Sequence, residues 1–219
     1  MKAVVLVPYR SDKGPRARNW RHACKQWNMM GLPVYTADAG SREFQRAAAR
    51  NEAARAAGAW DVALFADADI LLSSIEQAEA AIMRTYLTGA YTVAYSELHY
   101  LTELGTQEAI HGHHPLVCES NEIVTLTWEC CFAVRRDIWD FVGGFDERFL
   151  GWGGQGIAFF YAYATFGGRE RISGQAFHMA HPLVDRTKDP HFPANGKLCE
   201  RYRAAVDNRE AMLKILEER

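Results

Sequence analysis

Two aspartates and two histidines supply the residue types for a divalent-cation site. Asp67-Ala68-Asp69 follows the apolar run Val62-Ala63-Leu64-Phe65, so both carboxylates stand at the end of an expected strand. Carboxylates two residues apart at a strand end can turn toward one ion, and their hard oxygens suit Mg2+ or Mn2+, which bridge diphosphate oxygens. An ion held there could stabilise negative charge that collects on a departing group such as a diphosphate. An acidic pair of this spacing also occurs in solvated turns; the strand before it is what favours the ion. The run Phe177-His178-Met179-Ala180-His181 comes late in the chain, after a further expected strand, and neutral imidazole is a common metal ligand. Taken alone, such a pair fits a packed or surface position better; beside the aspartates it gains weight.

A third group is the glycine-rich stretch from Gly143 to Gly156, which also carries Phe145, Phe149 and Trp152. Flexible linkers avoid large aromatics, whereas glycine allows tight backbone and close approach to a ligand, and the Trp offers a flat apolar face. A packed structural loop is the plainer alternative.

These groups meet only if the chain places their elements at one edge. Ala3–Pro8 reads as a buried parallel strand, followed by a polar loop and a helix over Asn19–Met30. Pro33–Ala37 reads as a second strand, Ser41 as the cap of an alanine-rich helix ending at Ala57, and Asp61–Ala66 as a third strand. A helix from Ser73 or Ser74 to about Leu87 and a strand over Tyr91–Tyr95 follow. Alternation in short units predicts an α/β fold with a mostly parallel central sheet flanked by helices. Such sheets bind ligands at the carboxyl ends of their strands, where Arg10, Asp38 and the Asp67/Asp69 pair would converge.

The middle of the chain, Glu97–Glu122, is polar and histidine-rich and reads as a loop or short helices. Ile123–Val134 reads as one strand, in which Cys130 and Cys131 would point to opposite faces. Asp137–Val142 and Ile157–Phe166 read as helices, Gln175–Met179 as a strand, Pro182–Lys197 as irregular, and Cys199–Glu218 as one amphipathic terminal helix packed on the body or on a second subunit. One domain over 1–219 is the expectation.

Composition is compatible with that. The chain has 219 residues, of which 48% are hydrophobic and 24% charged, and its formal net charge is −2. That suffices for a sizeable core and shows no basic excess of the kind a nucleic-acid-binding domain carries. No apolar run approaches the length of a membrane span, and the first eight residues are too short for a secretory leader, so a cytoplasmic protein is expected. Five cysteines, none in C-x-x-C spacing, speak for small buried hydrophobes rather than a disulfide framework or zinc site.

Read in order, these segments resemble the GT-A glycosyltransferases, in the broad group of family 2, the β-1,4-galactosyltransferases and the polypeptide N-acetylgalactosaminyltransferases. The resemblance rests on Val7-Pro8-Tyr9-Arg10, Thr36-Ala37-Asp38-Ala39-Gly40-Ser41, Ala48-Ala49-Arg50-Asn51-Glu52, Phe65-Ala66-Asp67-Ala68-Asp69, the stretch Gly143-Gly144-Phe145-Asp146-Glu147 through Gly151-Trp152-Gly153-Gly154, and Ala176-Phe177-His178. The Gly143–Gly154 stretch is the most specific of these. The resemblance implies Mn2+ or Mg2+ held by Asp67, Asp69 and His178, with His181 as the alternate ligand. It implies a nucleotide-sugar donor, a UDP-sugar above others, lying along Pro8, Tyr9, Arg10, Asp38, Arg50, Asp67 and Ala68. Trp152, Gly153 and Gly154 would line the donor sugar and the acceptor side. The acceptor is left open among a protein, a glycan, a lipid and a modified base in DNA, and a homo-oligomer is possible.

One departure matters. After the tryptophan-glycine segment the family carries an acidic pair, and in inverting members its aspartate is the general base. This chain has Gln155 and Gly156, neither of which accepts a proton at neutral pH. Glu129 ranks first as replacement, with Asp146 and Glu147 behind it, while Gln155 can still hydrogen-bond a sugar hydroxyl. A retaining reaction, a catalytically weakened nucleotide-sugar-binding protein and a nucleotidyltransferase are the competing readings.

Overall fold

The fold is a computed structural model, and it describes residues 1–40, 44–182, 185 and 188–219. Strands β1 (Ala3–Pro8) and β3 (Val62–Ala66) are continuous apolar runs with every residue buried, as a strand covered on both faces requires. With β2 (Val34–Ala37), β5 (Tyr91–Val93), β8 (Cys131–Arg135) and β9 (Arg169–Arg171) they form a six-stranded sheet in the order β2-β1-β3-β8-β5-β9. β1 pairs parallel with β2 and β3, and β5 pairs parallel with β9. β8 runs antiparallel to both β3 and β5, so the sheet is mixed, with five strands sharing one direction.

Helices α1 (Pro15–Met29), α2 (Arg46–Ala56), α3 (Ile75–Thr88), α5 (Arg136–Val142) and α6 (Gln155–Gly167) flank the sheet once α4 (Glu103–Ile110) is set aside with the second sheet. Ser74 caps α3 in a reciprocal capping box with Gln77, and left-handed Gly89 ends it. The expected cap of α2, Ser41, lies outside the described residues. The core is aromatic: Phe65 stacks between Phe132 and Trp139 at 5.5 and 5.1 Å, and Phe145 stacks on Phe159 at 4.1 Å.

The polar middle of the chain is more regular than its composition predicts. β4 (Ile70–Leu72), β10 (Gln175–His178), β6 (Glu97–Leu101) and β7 (Ser120–Thr125) make a second, four-stranded sheet in that order. The single strand expected over Ile123–Val134 is two. Leu126 and Cys130 take φ of 63° and 72°, and this left-handed backbone ends β7 and sets Cys130 outside β8. The terminal helix also divides, into α7 (Phe192–Ala205) and α8 (Arg209–Glu217), at Asp207 with φ 63°. Asn208 caps the second helix through Ala211 N–H.

Candidate functional site

The carboxyl end of β3 leads straight into Asp67-Ala68-Asp69. Asp67 N–H donates to Cys130 O at 2.8 Å, fixing the turn against the entry to β8. β4 then pairs antiparallel with β10, setting His178 opposite Ile70, and Met179 N–H donates to Asp69 O at 2.9 Å. The loop after β10 is clamped from three sides. Asn19 of α1, fully buried, donates to Ala180 O at 3.0 Å, Arg18 donates to the same oxygen at 3.3 Å, and Thr106 Oγ1 of α4 accepts from Ala180 N–H at 2.7 Å.

The result is a trio of ligand-type groups, Asp69, His178 and His181, whose donor atoms all lie within 4.8 Å of one another. His181 Nε2 is 3.1 Å from Asp69 Oδ2, and His178 Nε2 is 3.7 Å from Asp69 Oδ1. Ligand bonds of about 2.0–2.2 Å put neighbouring ligand atoms roughly 3–4.4 Å apart, so the trio fits one cation with little movement. One carboxylate oxygen and two imidazole nitrogens suit Mn2+ better than Mg2+, which prefers all-oxygen surroundings.

The electrostatics are graded. Burial works to raise the pKa of Asp69, but His178, His181 and Arg46 outweigh it and hold the carboxyl at about 2. Burial lowers the His178 pKa below that of a free imidazole despite Asp69. His181 goes the other way, raised chiefly by its hydrogen bond to Asp69. A carboxylate and a neutral imidazole are thus favoured where a ligand set needs them.

Asp67 is oriented differently from Asp69. Its Oδ1 accepts from Arg50 Nη2 at 2.8 Å, and Oδ2 lies 3.7 Å from Arg46 Nη1. Arg50 is only 1% exposed, so it bears on the site through Asp67 rather than by reaching a ligand. Ala68, half-buried, separates the two aspartates.

Along the same edge, Pro8 ends β1, and Tyr9 packs on Trp20 with ring centroids 5.5 Å apart. Arg10 and Asp38 pair with each other at 3.2 Å, which joins the ends of β1 and β2. The Asp38 carboxyl is held below the usual range by the Gly40 N–H and by Arg10.

The glycine loop is fastened by its C-terminal neighbours. Asp189 accepts from Trp152 N–H at 2.6 Å, and Asn195 of α7 donates to Leu150 O and Trp152 O at 2.6 and 3.0 Å. Trp152 lies against Phe192 at 5.9 Å. Gly153 and Gly154 have φ of 103° and 82°, and Gly154 caps α6. Gln155 opens that helix; it is 6% exposed, and its Oε1 has no hydrogen-bond partner among the described residues. A buried carbonyl oxygen in that state has acceptor capacity left for a water or a ligand hydroxyl.

The three carboxylates considered as bases part company. Asp146 is saturated: Arg148 donates from Nε and Nη2, Tyr202 donates its hydroxyl at 2.8 Å, and Arg219 lies 3.9 Å away. It faces a cleft of about 1080 Å³ at the amino ends of β1 and β3, shared with Lys2, Arg55, Asp61 and Glu147 and remote from the trio. Asp146 is therefore a structural carboxylate, and Glu147 belongs to the same end, accepting from Asn51 at 2.7 Å. Glu129 lies on the site side, just before Cys130, whose carbonyl holds Asp67.

The supporting residues Arg46, Asn19, Arg18 and Thr106 carry no motif signal in the sequence. Each sits on a helix where a polar residue reads as solvent-facing, and only the buried partner distinguishes it.

The fold is that of the GT-A glycosyltransferases. No family model matches the sequence, and no curated protein does. Among solved structures, GalNAc-T7 with UDP, GalNAc and Mn2+ is similar over 99% of this chain and 48% of its own, with 14% identity and a TM-score of 0.52. The mannosyltransferase PcManGT from Pyrobaculum calidifontis, in complex with GDP-Man and Mn2+, matches over 99% of this chain and 73% of its own, with 11% identity and a TM-score of 0.52. The catalytic domain of Drosophila β1,4-galactosyltransferase 7 matches 78% of this chain at 17% identity and a TM-score of 0.45, and the match spans 64% of that domain's length. The two matches at a TM-score of 0.52 establish the fold alone; activity is a matter of the site. Among the described residues no helix is long and apolar enough to cross a membrane.

Proposed function

We propose that the protein is a divalent-cation-dependent glycosyltransferase that moves a sugar from a nucleoside diphosphate donor, a UDP-sugar before others, to an acceptor. The observation that carries this is the convergence of Asp69, His178 and His181 at the carboxyl end of β3, within 4.8 Å of one another. Two structures of the same fold hold Mn2+ together with UDP or GDP-Man, which supports the same use here. A Mn2+ ion bound by the trio would draw off the negative charge that builds on the departing diphosphate. The chain's own groups do the rest. Arg50 and Arg46 hold Asp67 in place beside the trio. Pro8, Tyr9, Arg10 and Asp38 form the edge along which base and ribose would lie. Trp152, Gly153 and Gly154 would line the sugar, and the orphaned Oε1 of Gln155 would accept from a sugar hydroxyl.

The test is nucleotide release from a panel of UDP- and GDP-sugars, with and without Mn2+, since donor hydrolysis needs no identified acceptor. Metal-dependent release that disappears in Asp69→Asn supports the proposal. Metal binding with no release from any donor would leave a nucleotide-sugar-binding protein instead.

A further inference from the structure

Gly156, the second residue of α6, stands directly against Glu129. A β-carbon built on Gly156 would stand 2.2 Å from Glu129 Oε1 and 2.6 Å from Glu129 Cδ. The Glu129 carboxylate therefore occupies the space a side chain at 156 would fill. Gly156 has no left-handed φ to account for its identity, so the absence of a side chain is used for room.

That position has three properties. First, it lies beside the first turn of α6, a helix of 13 residues whose N-cap, Gly154, makes no side-chain cap, and a carboxylate is favoured near the positive end of a helix. Second, its chain neighbour is tied to the Asp67-Ala68-Asp69 turn: Cys130 O accepts from Asp67 N–H at 2.8 Å, and Arg46 lies 3.7 Å from Asp67 Oδ2. Third, the backbone behind it is fixed. Tyr95 donates its hydroxyl to Glu129 O, Tyr91 does the same to Trp128 O, and Arg171 donates to Thr127 O at 2.6 Å and lies 4.4 Å over the Trp128 ring. The next residue, Cys130, is held at φ 72° without being glycine, a strain that the surrounding contacts sustain. Glu129 itself is half-buried and stands beside Gly156, the neighbour of the orphaned Gln155.

We infer that Glu129 is the general base of the transfer, reaching the start of α6 from the β7–β8 connection because Gly156 leaves it room. The inference rests on the transferase reading above. In the step, the acceptor O–H gives its proton to a Glu129 carboxylate oxygen. The acceptor oxygen bonds to the anomeric carbon, and the bond from that carbon to the phosphate oxygen breaks, its electron pair leaving with the nucleoside diphosphate. Water serves as acceptor in hydrolysis.

The experiment measures nucleotide release from UDP-galactose, UDP-N-acetylgalactosamine and GDP-mannose in Mn2+, with water as acceptor, alongside Mn2+-dependent UDP binding. Glu129→Gln should lower release by roughly 100-fold or more while UDP binding is kept. Glu129→Ala should be equally slow and should regain rate with added formate, a small carboxylate that enters the vacated space. The double variant Glu129→Ala/Gly156→Asp, which moves the carboxylate onto α6, should regain rate without formate. Wild-type release retained in Glu129→Gln overturns the base and leaves the transferase reading standing. A slow Glu129→Ala that neither formate nor the relocated carboxylate relieves makes Glu129 a packing residue and also overturns it. A wild type that releases no nucleotide from any of the three donors overturns both readings together.

Discussion

Arg50 Nη2 lies 2.8 Å from Asp67 Oδ1 in a setting where the arginine is 1% exposed. The guanidinium sits 4.8 Å from the Phe145 ring centre and 5.7 Å from that of Phe132, and its Nε and Nη1 have no partner among the described residues. The pair thus joins the aromatic core to the carboxyl end of β3. Removing one buried partner strands the other, at a cost of about 3–5 kcal/mol, whereas removing both together costs less. Arg50→Met and Asp67→Asn should each lower the urea midpoint strongly, with Arg50→Met the milder because Arg46 remains 3.7 Å from Asp67. The double variant should recover much of the loss. Additive losses in the cycle would show that the two side chains do not act as a pair.

The trio makes Mn2+ affinity depend on protons. The His181 pKa is raised by its hydrogen bond to Asp69, so this imidazole takes up a proton at higher pH than a free one, and the proton competes with the ion. Apparent Mn2+ affinity, read by electron paramagnetic resonance, should fall as pH drops from about 8 to 6. Asp69→Asn and His181→Ala should each weaken binding at pH 8 by roughly 10-fold or more. Unchanged affinity in both would remove the trio as the metal site.

Asp146 predicts an acid-labile seam. Burial works to raise its pKa, but Arg148, Tyr202 and Arg219 outweigh burial, and the folded-state pKa is lowered. A depressed carboxyl pKa contributes stability above the unfolded value of about 3.9, and that contribution drains away as pH falls toward the folded value. Asp146→Asn should therefore cost about 1–3 kcal/mol at pH 7 and flatten the acid side of the stability profile. Thermal melts between about pH 3 and 7 measure both effects. An equal loss at every pH would mean that packing alone is involved.

Much of the site's frame is legible in the chain, for physical reasons that differ by element. β1 and β3 are unbroken apolar runs, and the Asp67-Ala68-Asp69 turn follows the second of them, so strand and carboxylates announce one another. The second sheet does not: β7 is almost wholly exposed, with no apolar alternation to mark it, and its pairing with β6 is a tertiary fact. The break between β7 and β8 falls on Leu126 and Cys130, residues that carry no turn signal because their left-handed backbone is imposed from outside. Asp146 shows the converse failure. Its place in a glycine-rich stretch resembling a sugar-binding loop suggested chemistry, but Tyr202 lies 56 residues away in sequence and claims the carboxylate.

Gly105 and Gly196 make a matched pair with opposite expected outcomes. Both lie within helices, α4 and α7, and neither has a left-handed φ, so replacing either with alanine should gain about 0.5–1 kcal/mol of helix preference. A β-carbon at Gly196 meets nothing within 4 Å, and Gly196→Ala should accordingly be neutral to stabilising. At Gly105 it would stand 2.0 Å from the backbone oxygen of Glu119. Backbone cannot swing aside as a side-chain end can, and overpacking of this kind costs about 1–3 kcal/mol, more than the helix preference returns. The next residue is Thr106, whose Oγ1 holds Ala180 N–H between the two site histidines. A displaced α4 should thus carry the His178–His181 loop with it. Gly105→Ala should lower the melting temperature and weaken Mn2+ binding together, while Gly196→Ala does neither. A Gly105→Ala protein that melts lower but binds Mn2+ as the wild type does would show that α4 packs on the site without positioning it.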